Sequence, residues 1–454
     1  MKNHRLEILL FLSVWLVCGL TINSRNLEAF ALQQMGVEAI VERGTFYLEG
    51  SSIRQLQPGG DVFDYDGHKY AAKQPGQFMA GAIVYFLLHL FGLSYARDYL
   101  LASALVTFFT ASMVTALSTV ALYRMLVCLV KDGASVFWPL SAALLYAFAT
   151  TAFAYAGIAH HDALASGFVT IAFYFAFRAA RGREGVLKDA RLYLCAGLFL
   201  GLTVTTSMLA FWPALAVFLY LLSLKRWRLL PYLLLGGLLG LAPLFIYDWV
   251  NFGNPFKLPN LAGNYSDTFF HLDAENFRAK LGFYLEWTMH YTPVLLIGFA
   301  GLWLLPQGVR REKWAAAGAV LILCAYIFNI DTIGDCQYGP RYLLPTMSFG
   351  CLGLAGFSHL ESRALRRVWI TMIAVVGSLS FLVNAVGALQ GAMYCTLARH
   401  AFPLYLTALM RGEWGSFPLF SWLVIPALIS ACWLLRLALQ ARRAAERAIS
   451  HCAE

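Results

Sequence analysis

Charge is scarce in this chain. Asp, Glu, Lys and Arg make up 13% of its 454 residues, about half of the roughly 25% usual in soluble domains, which excludes a large water-exposed surface. No long polar stretch is present that a sizeable soluble domain would need, and no convincing internal repeat appears. The nine cysteines show no CxxC spacing and mostly fall within apolar runs, which makes them small core residues rather than zinc or redox ligands. Cys336 and Cys395 are the exceptions, because both lie in segments read as external, where a disulfide between them is open. The formal charge of +9 does not point to nucleic acid. Lys and Arg cluster at the ends of apolar runs, where they orient spans.

Apolar residues are abundant, at 59%, with 15% aromatic. Roughly 20 apolar residues cross a bilayer as a helix, and irregular backbone cannot face lipid. The pattern therefore predicts an all-α polytopic membrane protein. Lys2 and Arg5 precede a first span at 6–22, and the lack of a small-residue cleavage site predicts that it is retained, with its start inside. Further spans are expected at 99–123, 136–157, 163–177, 192–206, 209–224, 230–250, 284–305, 314–330, 342–357, 368–389 and 417–437, about twelve in all. The run at 78–93 is short and holds His89. If it crossed, Arg178, Arg181, Arg183, Lys188 and Arg191 would be external, so it is read as a juxtamembrane helix, which leaves both termini cytoplasmic. Four regions follow: a first transmembrane helix (1–23), an external loop with juxtamembrane helices (24–98), a transmembrane core with an external loop near 251–283 (99–357), and C-terminal helices ending in a basic cytoplasmic tail (358–454).

Polar residues gather at the external ends of these spans. Glu28 opens a helical run whose apolar residues recur at three-to-four spacing and which closes at Gly44. Tyr70 and Lys73 precede Gln74-Pro75-Gly76, a breaker before the juxtamembrane helix. His160-His161-Asp162 joins two spans, and 331–342, with Tyr338 and Arg341, forms another junction. Each has a plain structural alternative: Glu28 as a carboxylate at a helix start, Lys73 and Arg341 as snorkelling cations, Asp162 as a helix cap. The two adjacent histidines lack a third ligand at fixed spacing, so no metal is assigned. Glu286 and His290, four apart, are read as a structural pair. Together, an acid with cations suited to a phosphate, at membrane depth, marks a functional candidate.

At these residues the chain resembles the polyprenyl-phosphate-sugar-dependent glycosyltransferases of the GT-C superfamily, in particular the protein O-mannosyltransferase-like and lipid A aminoarabinose transferase-like enzymes. The resemblance rests on Glu28 at the start of a surface helix, on Tyr70-Ala71-Ala72-Lys73-Gln74-Pro75, on Asp162, and on Gly339-Pro340-Arg341-Tyr342-Leu343-Leu344-Pro345. It departs where the family's acidic pair is Leu27-Glu28, and where a metal-binding carboxylate of some relatives is Ala72. The resemblance implies an inverting transfer of a sugar from a polyprenyl-phosphate donor to a lipid, glycan or protein acceptor hydroxyl, on the periplasmic face of a bacterial inner membrane. Glu28 would be the catalytic base. Tyr70, Lys73, Asp162, His161, Tyr338 and Arg341 would bind substrate. No cofactor is implied, with a divalent metal left open. The rivals are a flippase or transporter, and a polymerase or ligase, of lipid-linked sugars.

Overall fold

The structure is a computed structural model that describes residues 4–23, 29–53, 61–131, 135–182, 185–265, 269–334, 337–391, 401–416 and 419–451. Helices follow the apolar runs: α1 (His4–Leu20), α2 (Ala29–Glu42), α3 (Gly76–Leu90), α4 (Tyr95–Thr107), α5 (Met113–Leu129), α6 (Phe137–Phe148), α7 (Thr151–Ala156), α8 (His161–Arg181), α9 (Val186–Thr206), α10 (Phe211–Ser223), α11 (Leu230–Phe252), α12 (Pro259–Ala262), α13 (Ala274–Tyr291), α14 (Pro293–Gly301), α15 (Arg310–Ile327), α16 (Met347–Leu352), α17 (Arg363–Gln390), α18 (Ala401–Met410) and α19 (Val424–His451). A short antiparallel hairpin, β1 (Val62–Tyr65) and β2 (His68–Ala71), sits between α2 and α3.

This is a membrane fold. Among the described residues five helices are long and apolar enough to cross a bilayer, Tyr95–Leu129, His161–Arg181, Trp227–Phe252, Arg363–Gln390 and Ser421–Arg443, or six if the pair Pro293–Leu304 and Gln307–Ile327, bent by 111°, is one span. Several of the expected spans are broken. The run at 136–157 divides into α6 and α7, where the Thr150 hydroxyl accepts from the Ala152 N–H at 3.3 Å and starts a new helix. The run at 342–357 winds as a 3₁₀ turn (Arg341–Thr346), α16 and a second 3₁₀ turn (Gly353–His359). Neither the hairpin nor α18 was legible as an element in the apolar pattern.

α3 has 15 residues, fewer than the roughly 20 a crossing needs. Phe78, Gly81, Ala82 and Tyr85 are buried, whereas Ile83, Phe86, Leu87 and Leu90 are exposed. It starts hard against the end of α9: a side chain at Gly76 would meet the Thr206 hydroxyl and lie 2.7 Å from Thr206 Cα. α9 itself is fixed by α11. Gly197 and Gly201 face Gly236 and Gly240, and a Cβ on Gly197 or Gly236 would strike a backbone carbonyl oxygen of the opposite helix. Small residues at four-residue spacing let two membrane helices touch backbone to backbone, and the Thr205 hydroxyl then donates to the Gly240 carbonyl at 2.7 Å. This contact places the end of α9, and with it Ser207.

A Cβ at Gly201 would lie 2.8 Å from Gly240 Cα, so Gly201→Leu is expected to force the two helices apart, at a cost of about 1–3 kcal/mol. Thermal unfolding of the purified protein checks this. The midpoint should fall clearly, while Gly308→Ala, with nothing within 4 Å of the added Cβ, should leave it unmoved.

Candidate active site at one end of the bundle

The outer wall of the site is built by the hairpin. Asp66 and Gly67 adopt φ of 50° and 81°, the left-handed pair that a two-residue hairpin turn requires. The ladder pairs Val62 with Ala71 and runs one step further, the Ala72 N–H donating to the Asp61 carbonyl at 2.8 Å. Asp61 therefore lies beside Lys73, and their Oδ2 and Nζ atoms are 3.1 Å apart. Glu49 secures the second strand from behind: its carboxylate accepts the Lys69 N–H at 2.9 Å and lies 2.6 Å from His68 Nδ1. After Lys73, the Gln74 side chain donates to Asn260 Oδ1 at 3.1 Å, linking the loop to α12.

The inner wall is the start of α8. The Asp162 N–H donates to His160 Nδ1 at 3.1 Å, so His160 caps the helix. Asp162 does not cap; it accepts a hydrogen bond from the Ser207 hydroxyl at 2.7 Å. Arg341 Nε is 3.6 Å from Asp162 Oδ2, and Arg341 Nη1 is 3.3 Å from His160 Nε2. A neutral imidazole offers one lone pair, so His160 accepts from the helix start or from Arg341, one at a time. His161 stacks on His160 at 4.2 Å and brings Nε2 within 3.5 Å of Asp162 Oδ1. Its Nδ1 is buried with no hydrogen-bond partner among the described residues.

Arg341 is aimed by its own segment. Gly339 turns the chain at φ 65°, Arg341 opens a 3₁₀ turn, and the Ser166 hydroxyl of α8 donates to the Leu344 carbonyl at 2.8 Å. The stretch before it is held by Lys280 of α13. The Lys280 ammonium donates to the carbonyls of Ile330, Asp331 and Thr332, the latter two at 3.0 Å. A lysine has three protons to give, and here all three go to one loop. Lys73, Gln74, His161, Asp162, Ser207 and Arg341 line a common cavity of about 80 Å³. That exceeds the roughly 10–15 Å³ one water needs and suits a small anionic group better than a whole lipid-linked sugar.

Burial alone would raise the Asp61 carboxyl above its ordinary value. Lys73, by charge and hydrogen bond, and then Arg341 and His161 hold it below. Its carboxylate is thus the charged partner of Lys73, with Arg341 acting on it through space. His160, His161 and Asp162 offer ligand atoms within 4.8 Å of one another, all buried. A metal ion there would share Asp162 and His160 with the Arg341 guanidinium, so these three residues admit a cation only if Arg341 gives way.

Of the residues singled out from sequence, Lys73, His161, Asp162 and Arg341 meet at this cavity. Tyr70 and Tyr338 do not. Tyr70 is enclosed by Tyr47, Phe63 and Phe252 at ring distances of 5.5, 5.8 and 5.4 Å, because alternate residues of β2 turn inward to the loop's aromatic core. Tyr338 packs on Tyr291 and Tyr405 and donates its hydroxyl to the Val383 carbonyl at 2.6 Å. Glu28, Cys336 and Cys395 lie outside the described residues. Glu286 and His290 stand on an exposed helix face, with His290 Nδ1 2.8 Å from the Glu286 carbonyl oxygen. Asp61, Ser207 and Lys280 were not anticipated. For Asp61 a signal existed: Asp66-Gly67 between Val62-Phe63 and Tyr70-Ala71 is the strongest short hairpin pattern. Ser207 and Lys280 reach the site through tertiary packing alone.

No family model matches the chain, and no curated protein matches it significantly. Solved structures do. ArnT from Cupriavidus metallidurans bound to undecaprenyl phosphate superimposes with a TM-score of 0.56 at 14% identity, over 97% of this chain and 74% of that one. Its apo state gives 0.52 at 16% identity, over 96% and 76%. The archaeal oligosaccharyltransferase AglB from Archaeoglobus fulgidus, in complex with an inhibitory peptide and a dolichol-phosphate, gives 0.50 at 13% identity, over 87% of this chain and 57% of that one. At these identities the likeness is one of fold alone, and it agrees with the all-α polytopic membrane fold expected from the sequence.

The Asp61–Lys73 pair makes a pH prediction. The Asp61 value is lowered in the folded state, so the pair's contribution is fully present above an unfolded value of about 3.9 and is lost as pH falls through the lower folded value. The side chains are 35% and 21% exposed, which keeps the contribution below about 1 kcal/mol. Asp61→Asn should thus lower stability slightly at pH 7 and narrow its gap to the parent protein as pH drops towards 3, as read by thermal unfolding. A gap that widens on acidification contradicts the pairing.

Proposed function

We propose that this chain is an inverting glycosyltransferase that moves a sugar from a polyprenyl-phosphate donor to an acceptor hydroxyl at the external face of the membrane, periplasmic in a bacterial inner membrane with both termini cytoplasmic. The observation that carries the reading is the convergence of Lys73 and Arg341, from segments far apart in the chain, on one anion-sized cavity at the end of the spans. The fold it shares with ArnT, whose structure holds undecaprenyl phosphate, supports the same donor class.

The acceptor oxygen attacks the anomeric carbon as the bond from that carbon to the phosphate oxygen breaks, and the electron pair leaves with the phosphate. Lys73 and Arg341 stabilise the charge that develops there, each through charge-assisted contacts. Glu28 takes the acceptor proton, on the grounds of its place at the start of the loop helix just after the first span. Asp61 and Asp162, each tied to a cation, orient Lys73 and Arg341. Ser207 and His161 hold Asp162 in turn. A transporter reading has weaker support: transporters place their charged groups at helix breaks near the bilayer midplane, whereas these lie at one end of the spans.

Transfer from a purified polyprenyl-phosphate sugar tests the proposal. A charge-assisted contact to phosphate is worth about 1.5–3 kcal/mol, so Lys73→Gln and Arg341→Gln should each raise the donor concentration needed by roughly tenfold or more. Glu28→Gln should instead lower turnover by about 10²–10⁴ with donor binding nearly intact. Unchanged donor dependence in folded Lys73 and Arg341 variants removes the phosphate role. Normal turnover in Glu28→Gln alongside a dead Asp162→Asn assigns the base to Asp162.

A further inference from the structure

A second cavity among the described residues, of about 860 Å³, shares no lining residue with this site. It is a groove between α6 and α17. On α17 its wall is the stripe Ile370, Ile373, Ala374, Gly377, Ser378 and Phe381, residues at the three-and-four spacing of one helix face. On α6 it is Trp138, Leu145 and Phe148. α6 leads through α7 to His160, so the end of the groove at Ser135 opens on the membrane face opposite the Lys73–Arg341 cavity.

Three features identify what fits it. The first is depth. The wall along α6 is 12 residues long, about 18 Å at 1.5 Å per residue, close to half of the roughly 30 Å hydrocarbon core. Its far end meets an aromatic group: Phe153 stacks with Phe381 at a ring distance of 6.4 Å and meets Phe148 edge-on at 5.0 Å. The groove is therefore one leaflet deep, which suits the chains of a phospholipid and is too short for a long polyprenyl tail. The second is charge. Arg442 of α19 lines the mouth, and Arg366 and Arg367 precede Ile370 by four and three residues, continuing the same face of α17 towards that end. The third is that the wall is mostly apolar, with the hydroxyls of Ser141 and Ser378 as its polar side chains along α6 and α17 and no charged group among them. The Trp138 Nε1–H is already given to the Leu354 carbonyl at 3.1 Å.

We propose that this groove binds one anionic phospholipid of the leaflet opposite the active site, its phosphate at Arg442 and its chains over Ile373, Gly377 and Phe148. The binding rests on the membrane reading of the fold and not on the transfer reaction, so it stands or falls apart from the proposed activity.

Native mass spectrometry of the full chain released from bilayers of equal phosphatidylglycerol and phosphatidylcholine tests it. The parent protein should retain phosphatidylglycerol in preference to phosphatidylcholine. Arg442→Gln should weaken that retention by about fivefold, the worth of one cation near an anionic headgroup, without changing phosphatidylcholine. Ser378→Trp, which fills the groove, should remove both adducts, and Ser141→Leu provides the same block if the first variant does not fold. Equal retention of the two lipids, or retention untouched by Arg442→Gln or by a folded groove-filling variant, overturns the proposal.

Discussion

A carboxylate and a guanidinium buried at the end of membrane helices each lose several kcal/mol of hydration, a cost that only good mutual geometry offsets. Asp162 and Arg341 are 2% and 7% exposed, and their closest approach is a loose 3.6 Å. The surroundings make up the difference. Ser207 donates to one oxygen of Asp162, His160 takes one side of the guanidinium, and Lys280 fixes the loop that delivers Arg341. Each of these depends on helix placement, and the backbone contact of α9 with α11 through Gly201 and Gly240 is what sets Ser207.

The charges at the site balance as they stand: Lys73 with Asp61, Arg341 with Asp162. On the proposed reading, a donor phosphate upsets that balance, and one carboxylate has to give up its cation. Asp61 is the one able to do so. It is partly exposed and belongs to a short hairpin, whereas Asp162 is held by Ser207 within the bundle. Release of Asp61 would leave Lys73 to the phosphate, while the Gln74–Asn260 and Lys257–Tyr65 hydrogen bonds still tie the hairpin segment to the residues around α12. Donor entry and the parting of Asp61 from Lys73 would then be one event.

Much of this was legible in the chain because membrane physics is severe. Apolar runs predicted the helices, the charge pattern marked which polar groups were out of place, and four of those groups do meet at one cavity. What was not legible has physical reasons. A hydropathy pattern does not register a break such as Thr150, whose hydroxyl starts a new helix inside an apolar run. Tyr70 and Lys73 lie three residues apart on a loop, but strand alternation and the aromatic core turn Tyr70 inward and leave Lys73 at the cavity. Asp61 directly precedes the hairpin, and the Asp66-Gly67 turn that orders it is a short-range signal in a chain dominated by helical ones.

The central claim is that Lys73 and Arg341 receive the donor's phosphate. A structure of the full chain with a polyprenyl phosphate bound tests it most directly. The account predicts phosphate oxygens within hydrogen-bond distance of both Lys73 Nζ and the Arg341 guanidinium, with Asp61 moved off Lys73. A phosphate seated elsewhere, with Lys73 still on Asp61 and Arg341 still on Asp162, would contradict it.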